Sequence, residues 1–415
     1  MPERGFAVLE FQTTGLFPYR LDRVVEVAVV HLDARARITG RWHTVVNPLR
    51  ELAGDGSHGL APVEVLSAPT FDLIAPRLVE LLSGRVLVAH NAQFATGFLM
   101  SEFARMGYRP RLGMDAICTM QLARDFLPGA GRSLSDCCAA FDIEVVDARQ
   151  ALGQATAIAE LFSAYVQSAP ELSSWRDALD RAASMPWRSL AGPSVSWAPR
   201  RTAEFRHTPT FLERMTARLP DHSGPDGHLD YLALLDRSML TRELSASDLG
   251  ALMQLAAVRG IDGGTCARLN AEYCDDLARV AAAAGALSPA DRADLREVAR
   301  MLDVPVAESA LAEPAAIPSA ATPAVTTPAA TTSCDGVRLT RGDIVVLTGE
   351  LARSRDDWHR ELSARGFRVA PAITRRTRLL VAANPSAPTG KSGKAQDYGI
   401  PIVSEFGLRS LIGVQ

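Results

Sequence analysis

The stretch FAVLEFQTTGL, residues 6–16, joins an apolar strand pattern to a Thr-Thr-Gly-Leu turn. An apolar run of this length predicts a buried strand, and the glycine marks the turn that ends it. Glu10 and Gln12 stand two residues apart near the end of the strand, so only one member of this polar pair is charged.

The composition is that of a globular protein with several domains. At 415 residues the chain is too long for one ordinary core, and its 47% hydrophobic and 22% charged residues give a net charge of -3. No apolar run approaches the roughly 18 to 20 residues of a membrane helix, and Met-Pro-Glu-Arg does not resemble a secretory leader. We therefore expect a cytoplasmic protein without membrane contact.

The six cysteines show no CxxC spacing. Neither a zinc site nor a disulfide framework is predicted, and we expect buried reduced thiols.

Composition and periodicity divide the chain into five segments and predict an α/β protein. Strand and helix patterns alternate in the first segment, the second is irregular, and the third has two weakly repeated helical hairpins. The fourth is rich in Ala, Pro and Thr, a composition that predicts a flexible linker, and a small α/β domain follows. The predicted boundaries are 1–168, 169–228, 229–305, 306–335 and 336–415.

The second segment allows two interpretations. Trp175, Trp187 and Trp197 stand among prolines and favour a connector that docks on a neighbouring domain. The basic stretch with Arg200, Arg201 and Arg206 leaves nucleic-acid contact as the alternative.

The third segment carries a helix-capping signal in each copy of its repeat. Ser245 and Ser288 are predicted to cap the second helix of each hairpin, with Asp248 and Asp291 three residues later completing an acidic capping box.

Four motifs in order, VLEFQTTGL, GSHGLAPVEVLSAPTF, LVAHNAQFATGFLMSEFARMG and RQALGQATAIAELF, span nearly the whole first segment. In sequence and spacing this segment resembles the DEDDh 3′–5′ exonucleases, the group that contains the epsilon subunit of bacterial DNA polymerase III. The resemblance implies a ribonuclease-H-like fold, with a mixed five-stranded sheet between helices. It also implies a role in DNA replication or repair.

In that family four carboxylates hold two divalent cations, and a histidine acts as general base. The resemblance assigns these five positions to Glu10, Gln12, Ala95, Arg149 and Gln154, none of which is the family's residue. One negative charge and one positive charge remain, so we predict neither a metal site nor catalytic residues here.

A working exonuclease with an atypical magnesium or manganese site is the alternative. It requires that nearby acids, Asp115, Asp142 or Asp147, replace the missing ligands.

The turns that cradle a terminal nucleotide in the family are retained, which predicts a nucleic-acid-binding surface. The opposing interpretation is that the fold needs these turns for packing alone. The residues concerned are Thr13, Thr14, Gly15, Leu16, His90 and Asn91.

The last segment resembles BRCT domains of the DNA-ligase type through DIVVLTGEL, ELSARGFRV and ITRRTRLLVAANPSAPTGKSGKAQDYGIPIVSEFGLRSLI. The tryptophan that many relatives carry on the last helix is replaced by Phe406 or Leu408. The resemblance implies a phosphate pocket made by a hydroxyl, a backbone amide and ammonium groups. The matching residues are Thr348, Gly349, Lys391 and Lys394.

Residues 336–415 contain 13 Lys and Arg against 7 Asp and Glu, a net charge of about +6 that favours an anionic partner. The leading hypothesis is a degenerate exonuclease homologue that serves as an adaptor in DNA replication or repair. Its partners would be DNA ends, other nucleic acid, or a phosphorylated or acidic protein. The rivals are the active exonuclease and a protein scaffold that binds no nucleic acid.

The linker composition generates a first prediction. Limited proteolysis should cut between residues 306 and 335 and yield a stable fragment of about 80 residues, because a segment with few large apolar side chains cannot offset its ordering entropy. Mass spectrometry of the early digest checks this, and a chain that resists cleavage in this range contradicts it.

Overall fold

The computed structural model describes most of the chain, and the predicted linker, 306–335, lies outside the described residues. The described residues are 5–18, 22–50, 59–110, 116–128, 130–184, 187–192, 195, 197, 199–200, 210–222, 224–240, 246–285, 287–305, 337–349, 351–385 and 390–412.

The first domain is built on a mixed five-stranded sheet in the order β3-β2-β1-β4-β5. The central strand β1 runs antiparallel to β2 and parallel to β4, while β3 is antiparallel to β2 and β5 is parallel to β4. This is the sheet that the family resemblance implied. The strands are β1 (Gly5–Thr13), β2 (Val24–Asp33), β3 (Ile38–Val45), β4 (Val86–Ala89) and β5 (Ile117–Cys118).

Helices cover both faces of this sheet because β1 is apolar on both sides. Ala7, Leu9 and Phe11 face one apolar cluster, while Phe6 and Val8 face another, as the alternation of side chains along a strand requires. The helices are α1 (Pro62–Ser67), α2 (Phe71–Leu82), α3 (Ala92–Arg105), α4 (Thr119–Phe126), α5 (Leu134–Ala139), α6 (Ala151–Ser168) and α7 (Ser173–Ser184).

The segment 169–228 differs from its prediction because it contains helix α7 and a further short helix, α8 (Phe211–Thr216). In α7 the buried residues Trp175, Ala178 and Leu179 follow helical spacing. The prolines and tryptophans of this segment favoured an irregular connector over that period.

Four further helices form the predicted helical region. α9 (Asp226–Leu240) packs against α10 (Ala246–Val258), and α11 (Gly263–Ala283) packs against α12 (Pro289–Met301). Ser288 caps α12 in a capping box with Asp291, as predicted, whereas Ser245 lies outside the described residues. Most buried apolar residues of these helices belong to the same apolar cluster as α2, α3 and one face of β1. Across the described residues, no helix is both long enough and apolar enough to cross a bilayer.

The C-terminal domain has a parallel four-stranded sheet in the order β7-β6-β8-β9 with three helices, which confirms the predicted small α/β domain. Leu408 on its last helix is buried in the core, whereas Phe406 is 79% exposed, so Leu408 fills the place of the absent tryptophan. The elements are β6 (Ile344–Thr348), α13 (Arg355–Ala364), β7 (Arg368–Ala370), β8 (Thr377–Ala382), α14 (Gly390–Asp397), β9 (Ile402–Val403) and α15 (Glu405–Ile412).

The packing of α2 on the sheet predicts a large difference between two leucines. Leu78 is fully buried in the main cluster, and Leu78→Ala should lower the free energy of unfolding by about 2–5 kcal/mol through lost burial and the cavity left behind. Leu66 on α1 is 76% exposed, and Leu66→Ala should change it by less than about 0.5 kcal/mol. Chemical denaturation measures both, and equal losses would contradict the assigned packing.

Candidate functional site

The acidic residue that begins the family's metal site, Glu10, is buried and paired with an arginine. Its Oε1 lies 3.6 Å from Nη2 of Arg237, which comes from α9 in the helical region. The same guanidinium stacks over the ring of Phe94, with its Cζ 3.9 Å from the ring centroid. Burial raises the pKa of Glu10 to about 7, although the charge of Arg237 acts to lower it.

The other carboxylate positions of the family offer no charged ligand. Gln12 is half-buried on β1, and Ala95 is buried within α3 and carries no ligand atom. Gln154 Nε2 donates a hydrogen bond to the backbone carbonyl of Ala148, which commits this amide to the local turn.

Arg149, at the position of the family's histidine, forms an ion pair with the helix that follows the connector. Its Nη2 lies 3.0 Å from Oε1 of Glu213 on α8. Glu213 also completes a capping box with Thr210 at the start of that helix. Because Glu213 is held by its own helix, the pair fixes α8 against the first domain.

A third ion pair, which sequence reasoning missed, lies beside Gln12. Glu26 on β2 is opposite Gln12 in the sheet register, so both side chains lie on the same face. The Glu26 carboxylate is fully buried and lies 3.2 Å from Nη1 of Arg200. Burial raises the pKa of Glu26, while Arg200 acts to lower it. The signal in the sequence was a lone acid inside the apolar run VVEVAVVHL.

Arg200 therefore supports the docking interpretation of the connector. Its side chain is 8% exposed, and it also donates hydrogen bonds to the carbonyls of Gly59 and Arg149, at 2.8 and 3.3 Å. Trp187 belongs to the same docked segment, since its backbone N–H donates to Ser83 Oγ at 2.9 Å. Arg201 and Arg206 lie outside the described residues.

These residues do not fit a pair of divalent cations. Within the described parts of the chain, no three His, Cys, Asp or Glu side chains form a group that could hold a metal ion. Asp147 is exposed, and Asp142 contacts the C-terminal domain instead of this cleft. Asp115 lies outside the described residues.

The turn after β1 is held together by its own hydrogen bonds. Thr13 Oγ1 donates to the carbonyl of Gly15 at 2.6 Å, and Thr14 Oγ1 donates to Asp22 Oδ1 at 3.1 Å. Leu16 is half-buried against the main apolar cluster. The structure thus places these predicted nucleic-acid-binding residues together at one corner of the domain.

His90 and Asn91 are occupied by internal contacts. The two ring nitrogens of His90 lie 3.0 Å from Thr119 Oγ1 and 2.9 Å from the carbonyl of Arg132. Burial lowers the pKa of His90 to about 4, so the ring is neutral at physiological pH. Asn91 adopts a left-handed backbone with φ of 66° and caps α3 by accepting from the N–H of Phe94. These contacts favour the packing interpretation for both residues.

The predicted phosphate pocket of the C-terminal domain faces the first domain. Thr348 Oγ1 donates to Asp142 Oδ2 at 2.9 Å, and the backbone N–H of Lys391 donates to Asp142 Oδ1 at 2.7 Å. Lys391 Nζ lies 3.4 Å from the same carboxylate. Lys394 forms an ion pair with Asp136 on α5.

The structure thus separates the predicted pocket residues. Helix α14 begins at Gly390, so Lys391 in its first turn shares an anion with Thr348, while Lys394 binds a different carboxylate. Gly349 forms the turn after β6 with φ of 79°, a conformation that a glycine adopts without strain.

Both lysines are deeply buried, each 5% exposed. Burial lowers the pKa of Lys391, and the charge of Asp142 acts in the opposite direction. Lysine usage is the signal of this arrangement in the sequence. The chain has 44 basic residues, and only two of them, Lys391 and Lys394, are lysines.

Two segments of the chain match known family models. The sequence model of the RNase_T family, described as Exonuclease, matches residues 8–162. The model of the BRCA1 C Terminus (BRCT) domain matches residues 340–412.

Two solved structures of exonucleases show a partial likeness. The nuclease domain of 3′hExo, a DEDDh family member bound to rAMP, has a TM-score of 0.36 at 17% identity, over 41% of this chain and 96% of that one. E. coli exonuclease I in complex with a dT13 oligonucleotide has a TM-score of 0.37 at 18% identity, over 41% of this chain and 43% of that one.

Two relatives are epsilon subunits of DNA polymerase III. The DNA polymerase III subunit epsilon of Rickettsia felis is 30% identical over 167 residues, which cover 39% of this chain and 72% of that protein. The subunit epsilon of Pasteurella multocida is 31% identical over 142 residues, 32% of this chain and 55% of that protein, so the match spans about half its length. The chain therefore belongs to the exonuclease family of the DNA polymerase III epsilon subunits, and it carries a C-terminal BRCT domain.

Proposed function

We propose that this protein is a non-catalytic member of the exonuclease family that serves as an adaptor in DNA replication or repair. One observation carries the proposal. Glu10 is the only acid among the family's four metal-ligand positions, and it is buried with the guanidinium of Arg237 beside it.

A divalent cation beside Glu10 would be repelled by the guanidinium of Arg237, whereas the carboxylates of the family attract it. A metal ligand must be deprotonated, and a carboxyl whose pKa is about 7 is only half ionised at neutral pH. The charge of Arg237 is permanent, because arginine is not deprotonated in proteins. In a cleft of low dielectric, two unit charges at short range interact by several kcal/mol, so this cation weighs heavily against metal entry.

The rest of the cleft supports a structural use of the fold. Arg149 and Glu26 are each paired with a residue that follows the first domain in the chain, Glu213 and Arg200 respectively. The nuclease fold thereby becomes a platform that holds the connector and the helical region in place.

In this proposal, the C-terminal domain and the turn after β1 bind the partners. The C-terminal domain, with its charge of about +6, attracts an anionic partner such as a DNA end or a phosphorylated or acidic protein. The turn formed by Thr13, Thr14, Gly15 and Leu16 is the proposed contact for nucleic acid on the first domain.

The first test is catalytic. The purified protein should not degrade single-stranded or mismatched DNA or RNA with magnesium or manganese, because three of the four carboxylates and the histidine of the family are absent. Gel analysis of end-labelled oligonucleotides measures this, with Glu10→Ala as the matched control. Hydrolysis that disappears in Glu10→Ala overturns the proposal, whereas hydrolysis of equal rate in both preparations identifies a contaminant.

The second test uses the ionisation of Glu10. Its folded pKa of about 7 lies above its ordinary value of 4.5, so the proton contributes stability below pH 4.5 that is lost as pH rises through 7. Relative to Glu10→Gln, which stays neutral, the wild type should therefore lose about 3 kcal/mol of unfolding free energy between pH 4.5 and pH 8.

Denaturation at several pH values gives this difference. Glu80→Gln is the control, since the Glu80 side chain is 65% exposed. If the difference in unfolding free energy between wild type and Glu10→Gln does not change with pH, the pKa of Glu10 is not raised and Arg237 keeps this carboxylate ionised.

A further inference from the structure

The anion pocket of the BRCT domain is filled by a carboxylate of this same chain. Asp142 receives an O–H from Thr348 and an N–H from Lys391 at the start of α14, with the Lys391 ammonium 3.4 Å away. A hydroxyl, a helix N-terminal amide and an ammonium are the donors that bind phosphate oxygens in proteins. Asp142 therefore stands where a phosphate oxygen would bind.

We propose that Asp142 is an internal occupant of this pocket, which keeps the BRCT domain closed on the exonuclease-like domain until the 5′-phosphate of a DNA end displaces it. The proposal rests on the proposed function in one respect, namely that DNA is the partner. The closed contact itself is independent of that function.

The turn that carries Asp142 holds the backbone of this residue in a fixed conformation. Asp142 has a left-handed backbone with φ of 59°, which aspartate tolerates better than most residues. The turn is fixed on both sides of Asp142, because Phe141 N–H and Ile143 N–H both donate to the carbonyl of Cys138 at 3.0 Å. A side chain held in this way fills the pocket without further loss of backbone entropy.

A second contact next to the pocket completes the closure. Lys394, three residues after Lys391 and so on the same face of α14, pairs with Asp136 on α5. Beside these pairs, the N–H of Ile373 donates to the carbonyl of Ala140 at 3.2 Å. Both lysines of the chain are thus buried by the same closure, and removing either carboxylate alone would leave a buried cation unpaired.

A phosphate can displace the Asp142 carboxylate from the pocket. A buried ion pair gains little net free energy, because desolvation opposes its attraction, and the Asp142 side chain is still 30% exposed. A terminal phosphate brings nearly two charges and three acceptor oxygens where Asp142 brings one charge and two. Because Asp142 competes for the same pocket, the apparent affinity for phosphate is the intrinsic affinity multiplied by the fraction of open molecules.

Two features favour DNA over a phosphopeptide as the ligand of this pocket. The BRCT domain carries a charge of about +6, and sequence-independent attraction of this kind is typical of contact with a nucleic-acid backbone. The other half of the closed contact belongs to a domain whose relatives are DNA polymerase subunits.

The first experiment measures closure through the two lysines. Because Lys391 and Lys394 are the only lysines, an amine-reactive acetylating ester followed by peptide mass spectrometry reports on this pocket without interference from other side chains. In the full-length chain both should react at least tenfold more slowly than in Asp142→Gly. The matched control is Asp147→Gly, because Asp147 also has a left-handed backbone, with φ of 52°, and is exposed.

The second experiment measures binding by fluorescence anisotropy with a single-stranded oligonucleotide that carries either a 5′-phosphate or a 5′-hydroxyl. Asp142→Gly should bind the phosphorylated form about tenfold more tightly than wild type does, while Asp147→Gly should match wild type. Asp142→Asn, which keeps an acceptor without the charge, should fall between them. Adding Lys391→Ala to Asp142→Gly should abolish the gain.

Hydrogen exchange at Ile373 separates displacement from binding elsewhere. Its amide donates across the closed contact, so addition of the phosphorylated oligonucleotide to the wild type should speed its exchange.

Several outcomes overturn the proposal. They are equal lysine reactivity in wild type and Asp142→Gly, unchanged or weaker phosphate binding in Asp142→Gly and Asp142→Asn, and Ile373 exchange that ligand does not alter. A gain seen only with a phosphopeptide overturns the assignment to DNA. None of these measurements involves hydrolysis, so their failure is distinct from failure of the non-catalytic proposal.

Discussion

The constraint on which this structure depends is that two carboxylates, Glu10 and Glu26, are buried at one corner of the exonuclease sheet. A buried charge without a partner is expensive, and in the family divalent cations balance the charge of such a corner. Here guanidinium groups stand in that role, from Arg237 for Glu10 and from Arg200 for Glu26. In the proposed function, these two ion pairs give the corner a structural role.

A metal ion comes from solvent, but an arginine comes with the segment that carries it. Once Arg200 and Arg237 neutralise the corner, the connector and α9 must lie against the sheet, and Arg149 draws α8 to the same place through Glu213. The sheet and the helical region also share one continuous apolar cluster. The ion pairs fix the position of the helical region relative to the sheet, and the burial of apolar side chains supplies most of the stabilisation.

The sequence predicted what depends on local pattern. The strands of the first domain, the two family resemblances and the Ser288 cap all follow from periods, turns and motifs a few residues long. The ion pairs were not predictable in this way, because their members lie far apart in the chain. Arg149 and Glu213 are 64 residues apart, and Arg200 and Glu26 are 174 residues apart. Nothing in the neighbourhood of Arg237 distinguishes it from the other arginines of the helical region.

The pocket residues of the C-terminal domain show the same limit. The family resemblance predicted a phosphate pocket made by Thr348, Gly349, Lys391 and Lys394. In the structure, carboxylates lie beside Thr348 and the two lysines. The resemblance could not identify those anions as Asp136 and Asp142, because a resemblance to one family carries no information about how its domain meets another.

The ion pairs of the cleft use arginine, whereas those between the first domain and the C-terminal domain use lysine. Arginine keeps its charge when buried and grips a carboxylate with a planar fork, so it suits the cleft, where the pairs hold the regions of the first 300 residues together. Lysine is a compact point charge whose affinity depends on the charge of its partner more than on its shape. Burial lowers the pKa of Lys391, while the charge of Asp142 acts to raise it, so the charged state of this lysine depends on the anion beside it. Both lysines of the chain lie at the contact where, in our proposal, a phosphate displaces a carboxylate.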